Sequence, residues 1–197
     1  MDVGAGGAIT GGAVGTLIYM PLCSLDGYVE DASGRFDWAA PDEEVHAFIN
    51  DRMRGASLHL YGRRMYETMK FWEATPPAAA PAPARDFAAL WQAADKVVYS
   101  RTLQEVASRR TRLERDFVPE AVRKRVAEAP GDVGIGGAEL AGLALAAGLV
   151  GEVHLYLAPV VVGGGKRALP SGVRVDLRLL EERRFSGGMV FVRYAVR

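Results

Sequence analysis

The sequence has a single cysteine, Cys23, among 197 residues. One thiol cannot form an intramolecular disulfide or a cysteine-based zinc cluster, so both are excluded. Cys23 lies in an apolar run, and we expect a buried, unreactive thiol in a cytoplasmic protein. Histidine is also scarce, with three residues. His59 and His154 lie in apolar runs and have no partner at metal-ligand spacing, so we predict no metal site.

The chain has no surplus of charge of either sign. Lys+Arg and Asp+Glu both number 24, and the formal net charge is +0. Binding of nucleic acid through counterion release requires a basic surplus, so we expect no nucleic-acid partner. No apolar stretch approaches the length of a membrane span, and we expect no membrane partner.

The first 15 residues are rich in glycine and small residues. They lack the basic start and the leucine-rich stretch of a signal peptide, and no strand precedes their glycines as a dinucleotide fingerprint requires. We therefore predict a flexible leader at residues 1–15 and a single domain at residues 16–197. The proline-rich segment 75–84 is predicted to be a surface loop rather than a domain linker, because strands and helices alternate on both sides of it.

Strand-like and helix-like patterns alternate along the rest of the chain. Apolar runs indicate strands at 16–23, where Pro21 predicts an irregularity, and at 58–61, 96–100, 132–135, 152–157 and 159–162. Periodicity and end signals predict helices at 41–53, after Gly62, and at 86–94, 119–129 and 138–150. Residues 186–188 connect two further strand-like runs, 173–185 and 189–196, which predicts an antiparallel hairpin. The alternation predicts the α/β class, with a mostly parallel central sheet flanked by helices and an antiparallel C-terminal edge.

Three of the predicted strands end in residues that suit a phosphate. In open α/β sheets, ligands collect at the carboxyl ends of the strands. Backbone N–H groups at a helix start attract anions, and arginine binds phosphate through paired hydrogen bonds. Each feature alone is more often surface or turn, so the prediction depends on their combination. Two basic sites and a glycine turn indicate a dinucleotide with an extra phosphate, NADPH rather than NADH. The three ends are Gly62-Arg63-Arg64, Ser100-Arg101 and Gly136-Gly137.

Two other phosphate motifs are excluded by their spacing. Residues 163–166 read Gly-Gly-Gly-Lys, but Arg167 follows where a P-loop requires serine or threonine. Residues 134–139 lack the last glycine of the Rossmann fingerprint. Lys166 and Arg167 either meet an anionic substrate or lie on a solvated turn.

These motifs, taken in order, resemble the dihydrofolate reductase-like superfamily. More narrowly, they are similar to the branch related to the C-terminal reductase domain of the bifunctional riboflavin-biosynthesis deaminase-reductase, the RibD C-terminal domain. The resemblance implies a dihydrofolate reductase fold, NADPH as hydride donor and a homodimer. The motifs that carry it are residues 24–29, 37–38, 62–67, 100–101, 136–137 and 159–164.

The resemblance also implies a cofactor site made of three segments. The first would bind the pyrophosphate and 2′-phosphate side of NADPH, the second would flank the adenosine 2′-phosphate, and the third would lie beneath the pyrophosphate and nicotinamide. Met65 stands where the family often has threonine, so one hydroxyl contact is lost. The implied cofactor residues are Gly62, Arg63, Arg64, Met65, Ser100, Arg101, Gly136, Gly137, Ala138, Glu139 and Leu140.

The resemblance implies carboxylates near the reacting atoms. Asp26 would lie by the nicotinamide and the substrate mouth, and Glu43 or Glu44 would match the carboxylate on the first helix of dihydrofolate reductases. In the alternative interpretation, the two glutamates only complement the helix dipole. Riboflavin-pathway reductases usually have a substrate-binding glutamate where this chain has Ile135, so the pyrimidine substrate stays open.

Two functions are therefore considered. The first is an NADPH-dependent reductase that transfers hydride to a small pyrimidine-like or pteridine-like heterocycle, similar to 5-amino-6-(5-phosphoribosylamino)uracil reductase or dihydrofolate reductase. The second is a non-catalytic NADP(H)-binding protein that reuses the fold for sensing or assembly. Ile135 and Met65 slightly favour the second.

Overall fold

The computed structural model describes residues 15–74 and 76–197. The predicted leader lies outside these residues except for Gly15, which packs against the backbone of Gly131. The strands are β1 (Leu17–Tyr19), β2 (Leu22–Ser24), β3 (Tyr28–Glu30), β4 (Ala56–Gly62), β5 (Asp95–Tyr99), β6 (Thr111–Glu114), β7 (Asp132–Gly136), β8 (Glu152–Ala158), β9 (Lys166–Arg167), β10 (Leu177–Arg184) and β11 (Val190–Val196). The α-helices are α1 (Glu43–Met53), α2 (Arg63–Met69), α3 (Ala82–Ala93), α4 (Pro119–Glu128) and α5 (Ala138–Ala146), with 3₁₀ helices at Asp37–Ala39 and Lys70–Glu73.

One large sheet runs through the described chain in the order β10-β11-β8-β1-β7-β4-β5-β6, with β2 also paired to β8. The pairs from β8 through β1, β7, β4 and β5 to β6 are parallel. β11 is antiparallel to both β8 and β10. The prediction of an α/β fold with a mostly parallel sheet and an antiparallel C-terminal edge is confirmed.

Each face of the sheet is covered by its own helices. Side chains alternate along β5, so Val97 and Tyr99 join one apolar cluster while Val98 joins the other. α1, α2 and α3 contribute to the cluster of Val98, and α4 and α5 contribute to that of Val97. Trp91 of α3 and Val122 of α4 are both 0% exposed, so each of these helices places a fully buried side chain in the apolar cluster on its own face of the sheet. These helices therefore cover the sheet and pack against it from both sides.

The order in which the chain adds strands to the sheet reverses between β1 and β7. From β1 it passes over β7 to reach β4, whereas from β7 it passes over β1 to reach β8. A crevice at the carboxyl ends of such a strand pair is the usual ligand position in doubly wound folds. Tyr19 and Ile135 form the last β1–β7 pair. The chain then turns at Pro21, and β2 pairs with β8. Beyond Ile135, the β1 side of β7 therefore has no paired residue of β1.

Two helix boundaries differ from the prediction. α3 begins at Ala82, inside the segment predicted to be irregular, and Pro83 lies in its first turn. Proline is tolerated there because first-turn N–H groups have no partner within the helix. α5 ends at Ala146 rather than at residue 150. Gly148 follows with φ +63°, a left-handed conformation that commonly ends helices.

Several strand predictions were wrong or incomplete. β6 was missed because its sequence, TRLE, has a single large apolar residue. β3 and β9, which were not predicted as strands, form a separate two-stranded sheet. Residues 159–162 are not a strand, because Val162 donates its N–H to a side chain instead of to a sheet partner. The C-terminal hairpin is confirmed, but its first strand begins at Leu177 rather than at residue 173.

Among the described residues, no helix has both the length and the apolar character that a membrane span requires.

Candidate functional site

The three predicted strand ends meet at one edge of the sheet. β7, β4 and β5 are parallel neighbours, so their carboxyl ends lie side by side. Tyr61 is opposite Gly136 of β7, and Gly62 is opposite Tyr99 of β5, directly before Ser100. The structure therefore brings together residues that lie up to 75 positions apart in the sequence.

The start of α5 is open toward this edge. Gly137 precedes the helix with φ +93° and ψ +117°, a conformation suited to glycine. Within the described chain, no side chain caps this helix start. The first-turn N–H groups of α5 are therefore available to an anion. A Cβ on Gly137 would lie 3.7 Å from the backbone N of Gly62, so the starts of α5 and α2 are adjacent.

Gly136 lies where no side chain fits. A Cβ at this position would be 2.8 Å from Cδ1 of Tyr61 and 3.0 Å from Cγ of Met65. Met65 also lies over Gly137, where a Cβ would be 3.4 Å from its own Cβ. Met65 thus gives this glycine turn an apolar cover instead of the hydroxyl that the resemblance implied.

Arg63 connects the start of α2 to the loop after β5. Its Nε donates to Glu67 at 2.9 Å, and its Nη1 donates to Oγ1 of Thr102 at 2.8 Å. The side chain is 49% exposed, which leaves part of the guanidinium accessible to a ligand. Arg64 is exposed and forms no ion pair with any described residue. Both arginines lie at the predicted edge.

The loop after β5 is held by hydrogen bonds and carries an exposed basic side chain. Ser100 is 7% exposed, and its Oγ accepts from the N–H groups of Thr102 and Leu103 at 3.3 and 3.0 Å. Arg101 is 80% exposed and donates twice to one carboxylate oxygen of Asp116, at 2.8 and 2.6 Å. The loop thus presents one buried hydroxyl and one accessible guanidinium.

Sequence reasoning missed Arg115, at the end of β6. Its Nη1 donates to the carbonyl oxygens of Ser100 and Leu103, so it holds the loop and adds positive charge beside it. The available signal was the alternation in 111–115, where Leu113 joins the core while its charged neighbours do not. Because β6 was not predicted, neither Arg115 nor Asp116 could be placed.

Asp26 fastens one loop to another. Its Oδ1 accepts from the N–H of Val162 at 3.1 Å, and its Oδ2 accepts from the N–H of Gly163 at 2.8 Å. The pKa of Asp26 is lowered, first by the Ser24 hydroxyl and then by these N–H groups. Asp26 is therefore ionised at neutral pH and holds the 159–163 loop. A catalytic role for it stays a prediction.

The predicted carboxylates of α1 lie at a different loop. Glu44 accepts from the N–H and Oγ of Ser186 at 3.0 and 2.7 Å, and from Arg183 at 3.1 Å. These contacts, led by the Ser186 hydroxyl, lower the pKa of Glu44. Glu43 is exposed in the first turn of α1. Within the described contacts, neither glutamate reaches the predicted cofactor residues. Their catalytic role also stays a prediction.

Replacing Asp26 with alanine is expected to speed hydrogen exchange at the Val162 and Gly163 amides by about tenfold or more, because both lose their acceptor. Since the folded pKa of Asp26 is lowered, the wild-type protection is complete above the ordinary value of 3.8 and is lost as pH falls through the lowered pKa. Exchange measured by NMR or mass spectrometry tests this. Asp31→Ala, which removes similar loop bonds elsewhere, is the control. Unchanged exchange in Asp26→Ala would contradict the assignment.

Ile135 is part of the core. Its side chain is 4% exposed and belongs to the cluster under α5, together with Leu140. The position where riboflavin-pathway reductases usually have a glutamate therefore offers no polar group here.

A separate cavity of about 810 Å³ lies at the opposite edge, between α4 and the amino ends of β4 and β5. Its lining includes Ser57, Asp95 and Arg112 but none of the predicted site residues. Across residues 15–74 and 76–197, no group of three or more His, Cys, Asp or Glu side chains could hold a metal ion. The edge at the carboxyl ends of β4, β5 and β7 is therefore chosen as the candidate site because of its residues, and not because of the volume of a cavity.

In sequence and in fold, the chain is similar to the RibD C-terminal domain. The family model for the RibD C-terminal domain matches residues 133–191, which include β7, the glycine pair and α5. With the shared fold described next, this match confirms the resemblance to the RibD C-terminal branch.

One relative and two solved structures are similar to this chain over most of its length. The chain is 29% identical over 174 residues to the uncharacterized protein YyaP of Bacillus subtilis, covering 87% of this chain and 89% of that protein. A structure from Shewanella sp. PV-4, attributed to riboflavin biosynthesis, has a TM-score of 0.72 at 17% identity and covers 92% of this chain and 99% of that one. Acinetobacter baumannii RibD has a TM-score of 0.68 at 14% identity over 95% of this chain. This chain spans 59% of that longer RibD chain.

Proposed function

We propose that this protein is an NADPH-dependent reductase that transfers hydride to a small pyrimidine-like or pteridine-like heterocycle. The substrate class would be similar to that of 5-amino-6-(5-phosphoribosylamino)uracil reductase or dihydrofolate reductase. The observation that carries the proposal is the meeting of Gly137, Gly62 and Ser100 at one edge, beside two accessible arginines. The match to a reductase domain family supports the class of reaction.

The residues present fit a dinucleotide with an additional phosphate. The open start of α5 and the φ of Gly137 suit a pyrophosphate lying close to the backbone. Arg63 and Arg101 are 49% and 80% exposed and suit a 2′-phosphate. When bound, NADPH would supply the hydride.

The protein's own contribution is orientation and exclusion of water. Beyond the Tyr19–Ile135 pair, Met65 covers the glycine turn, and both Met65 and Met20 are partly buried against the core. Fixing donor and acceptor in an apolar crevice removes much of the entropic cost of their encounter. Asp26 and Glu44 are ionised and engaged in hydrogen bonds, so the proton would come from water or from another acid beside the substrate.

Parallel titration of the purified protein with NADPH and NADH at fixed salt tests the proposal. Fluorescence and thermal unfolding are expected to show tighter binding and greater stabilisation with NADPH. Dihydrofolate and the riboflavin-pathway pyrimidine are then screened for oxidation of the cofactor. Absence of stabilisation by either dinucleotide would refute the proposal.

Specific observations also favour the second candidate, a non-catalytic NADP(H)-binding protein. Ile135 is buried where a substrate-binding glutamate was expected, and the carboxylates of Asp26 and Glu44 are occupied by hydrogen bonds. Turnover distinguishes the two functions. A binder retains the preference for NADPH but oxidises it with no acceptor tested.

The proposal includes a cytoplasmic homodimer. β10 is an edge strand and leaves Leu179 49% exposed, a surface that a second copy would cover. Cys23 is 1% exposed, as expected for a thiol that stays reduced. Sedimentation equilibrium is expected to give twice the mass of one chain, and cell fractionation to recover the protein in the cytoplasm. A single-chain mass or an exported protein would remove that part of the proposal.

A further inference from the structure

An acidic residue stands at the predicted phosphate site. Glu139 lies in the first turn of α5, and its side chain is 83% exposed. A carboxylate here interacts favourably with the helix start, as a phosphate would. Glu139 therefore competes with any phosphate that binds there, unless another group draws it away or compensates its charge.

Lys166 of β9 is the group that meets this carboxylate. Its Nζ lies 3.1 Å from Oε1 of Glu139 and 4.0 Å from Oε1 of Glu30, and its side chain is 22% exposed. A distant segment of the chain thus places an ammonium beside the start of α5.

The position of Lys166 does not depend on its ion pair with Glu139. β9 pairs with β3, where Lys166 lies opposite Glu30. The next residue but one, Ala168, donates its N–H to Gly27 at 2.8 Å and accepts from the buried hydroxyl of Tyr19 at 2.8 Å. These contacts hold the backbone at the lysine and two residues beyond it.

The two partners differ in their freedom to move. Glu139 is attached to one exposed helix turn and can rotate into water at little cost, because exposed ion pairs are weak. Lys166 is mostly buried, anchored through its strand, and keeps Glu30 as a second carboxylate neighbour. An incoming phosphate would therefore displace the carboxylate and leave the ammonium in place.

We propose that Lys166 binds the pyrophosphate of the cofactor and that Glu139 is its counter-ion in the free protein, displaced on binding. This inference rests on the proposed function and deepens it. Pyrophosphate is common to NADPH and NADH, so Lys166 contributes equally to both. Arg63 and Arg101, which the proposed function assigns to the 2′-phosphate, are expected to contribute mainly to the binding of NADPH.

The test measures dissociation constants for NADPH and NADH at fixed low salt, using the full chain and three variants. Lys166→Met is expected to lower the affinity for both cofactors by the same factor, about tenfold. Glu139→Gln is expected to strengthen both by about two- to fivefold, because it removes a competing anion. In the double variant, the gain in cofactor affinity from Glu139→Gln is expected to be smaller, because the ammonium for which the carboxylate and the phosphate compete is absent.

Matched variants separate this role from a structural one. Lys166→Arg keeps the charge and is expected to retain most of the affinity. Arg167→Met removes a neighbouring charge that stacks on Tyr28, with the guanidinium carbon 5.4 Å from the ring centre, and is expected to change neither constant. Thermal unfolding without ligand verifies that each variant is folded. The inference is overturned if Lys166→Met weakens NADPH alone, or if Glu139→Gln weakens binding.

Inorganic pyrophosphate separates failure of the inference from failure of the proposed function. If neither dinucleotide binds, but pyrophosphate stabilises the wild-type protein and not Lys166→Met, the proposed function fails and the phosphate site at Lys166 stands. If pyrophosphate also has no effect on the wild-type protein, the assignment of Lys166 fails as well. If the dinucleotides bind with unchanged affinity in Lys166→Met, only the inference fails.

Discussion

Joint replacement of Arg63 and Arg101 by alanine is expected to lower the affinity for NADPH by about 100-fold and that for NADH by less than about threefold. Both guanidiniums lie at the edge where β4 and β5 end, and both are partly accessible. A charge-assisted hydrogen bond to phosphate typically contributes about tenfold in affinity. Arg63 already pairs with Glu67, and Arg101 with Asp116. Because a phosphate has to share the arginines with these carboxylates, we expect each arginine to contribute no more than about tenfold.

The measurement is a pair of fluorescence titrations of wild type and double variant at one salt concentration. Salt is held fixed because phosphate contacts weaken as ionic strength rises. Arg123→Ala with Arg178→Ala removes the same charge from exposed positions on α4 and β10 and is the control. Equal losses for NADPH and NADH would place these arginines away from the 2′-phosphate, and no loss for either would exclude them from the site.

Gly136→Ala is expected to abolish measurable cofactor binding and to lower the free energy of unfolding by about 1–3 kcal/mol. The added Cβ would lie 2.8 Å from Tyr61 and 3.0 Å from Met65, much closer than ordinary van der Waals contact. The Tyr61 ring is 4% exposed and has little space to move. Any shift of Met65 also displaces the cover of Gly137, so the glycine turn loses its shape along with stability.

Denaturant unfolding and cofactor titration of the same preparation test this expectation. Gly164→Ala is the matched control, because a Cβ there would meet no described atom within 4 Å. It is expected to change the free energy of unfolding by less than about 1 kcal/mol, as for other open positions. Wild-type affinity in Gly136→Ala would show that this glycine serves only the packing of β7 against β4.

Much of the site could be predicted because its chemistry is local in sequence. Gly62 with Arg63, and Ser100 with Arg101, are adjacent pairs at strand ends, and strand ends are visible as the points where apolar runs stop. Parallel neighbouring strands place such ends together. The structure places these strand ends side by side, while their binding of NADPH stays a proposal.

Other functional groups could not be predicted because their partners are remote. Asp26 accepts hydrogen bonds from backbone N–H groups 136 and 137 residues away, and Glu44 accepts them from residues 139 and 142 positions away. A single sequence carries no record of such pairings. Arg115 was missed for a different reason, because β6 is a short, charged edge strand without a strong periodic signal.

By itself, the sequence determined the α/β class, the order of the main elements and the residues at three strand ends. These features follow from hydrophobic periodicity and from glycine and proline at element ends, which act over a few residues. The tertiary structure alone decided which strands are neighbours, where a crevice forms between the ends of β1 and β7, and which basic side chain pairs with Glu139. Lys166 reaches Glu139 because β9 is anchored to β3 and to Tyr19, and contacts between such distant segments exist only once the whole sheet has formed.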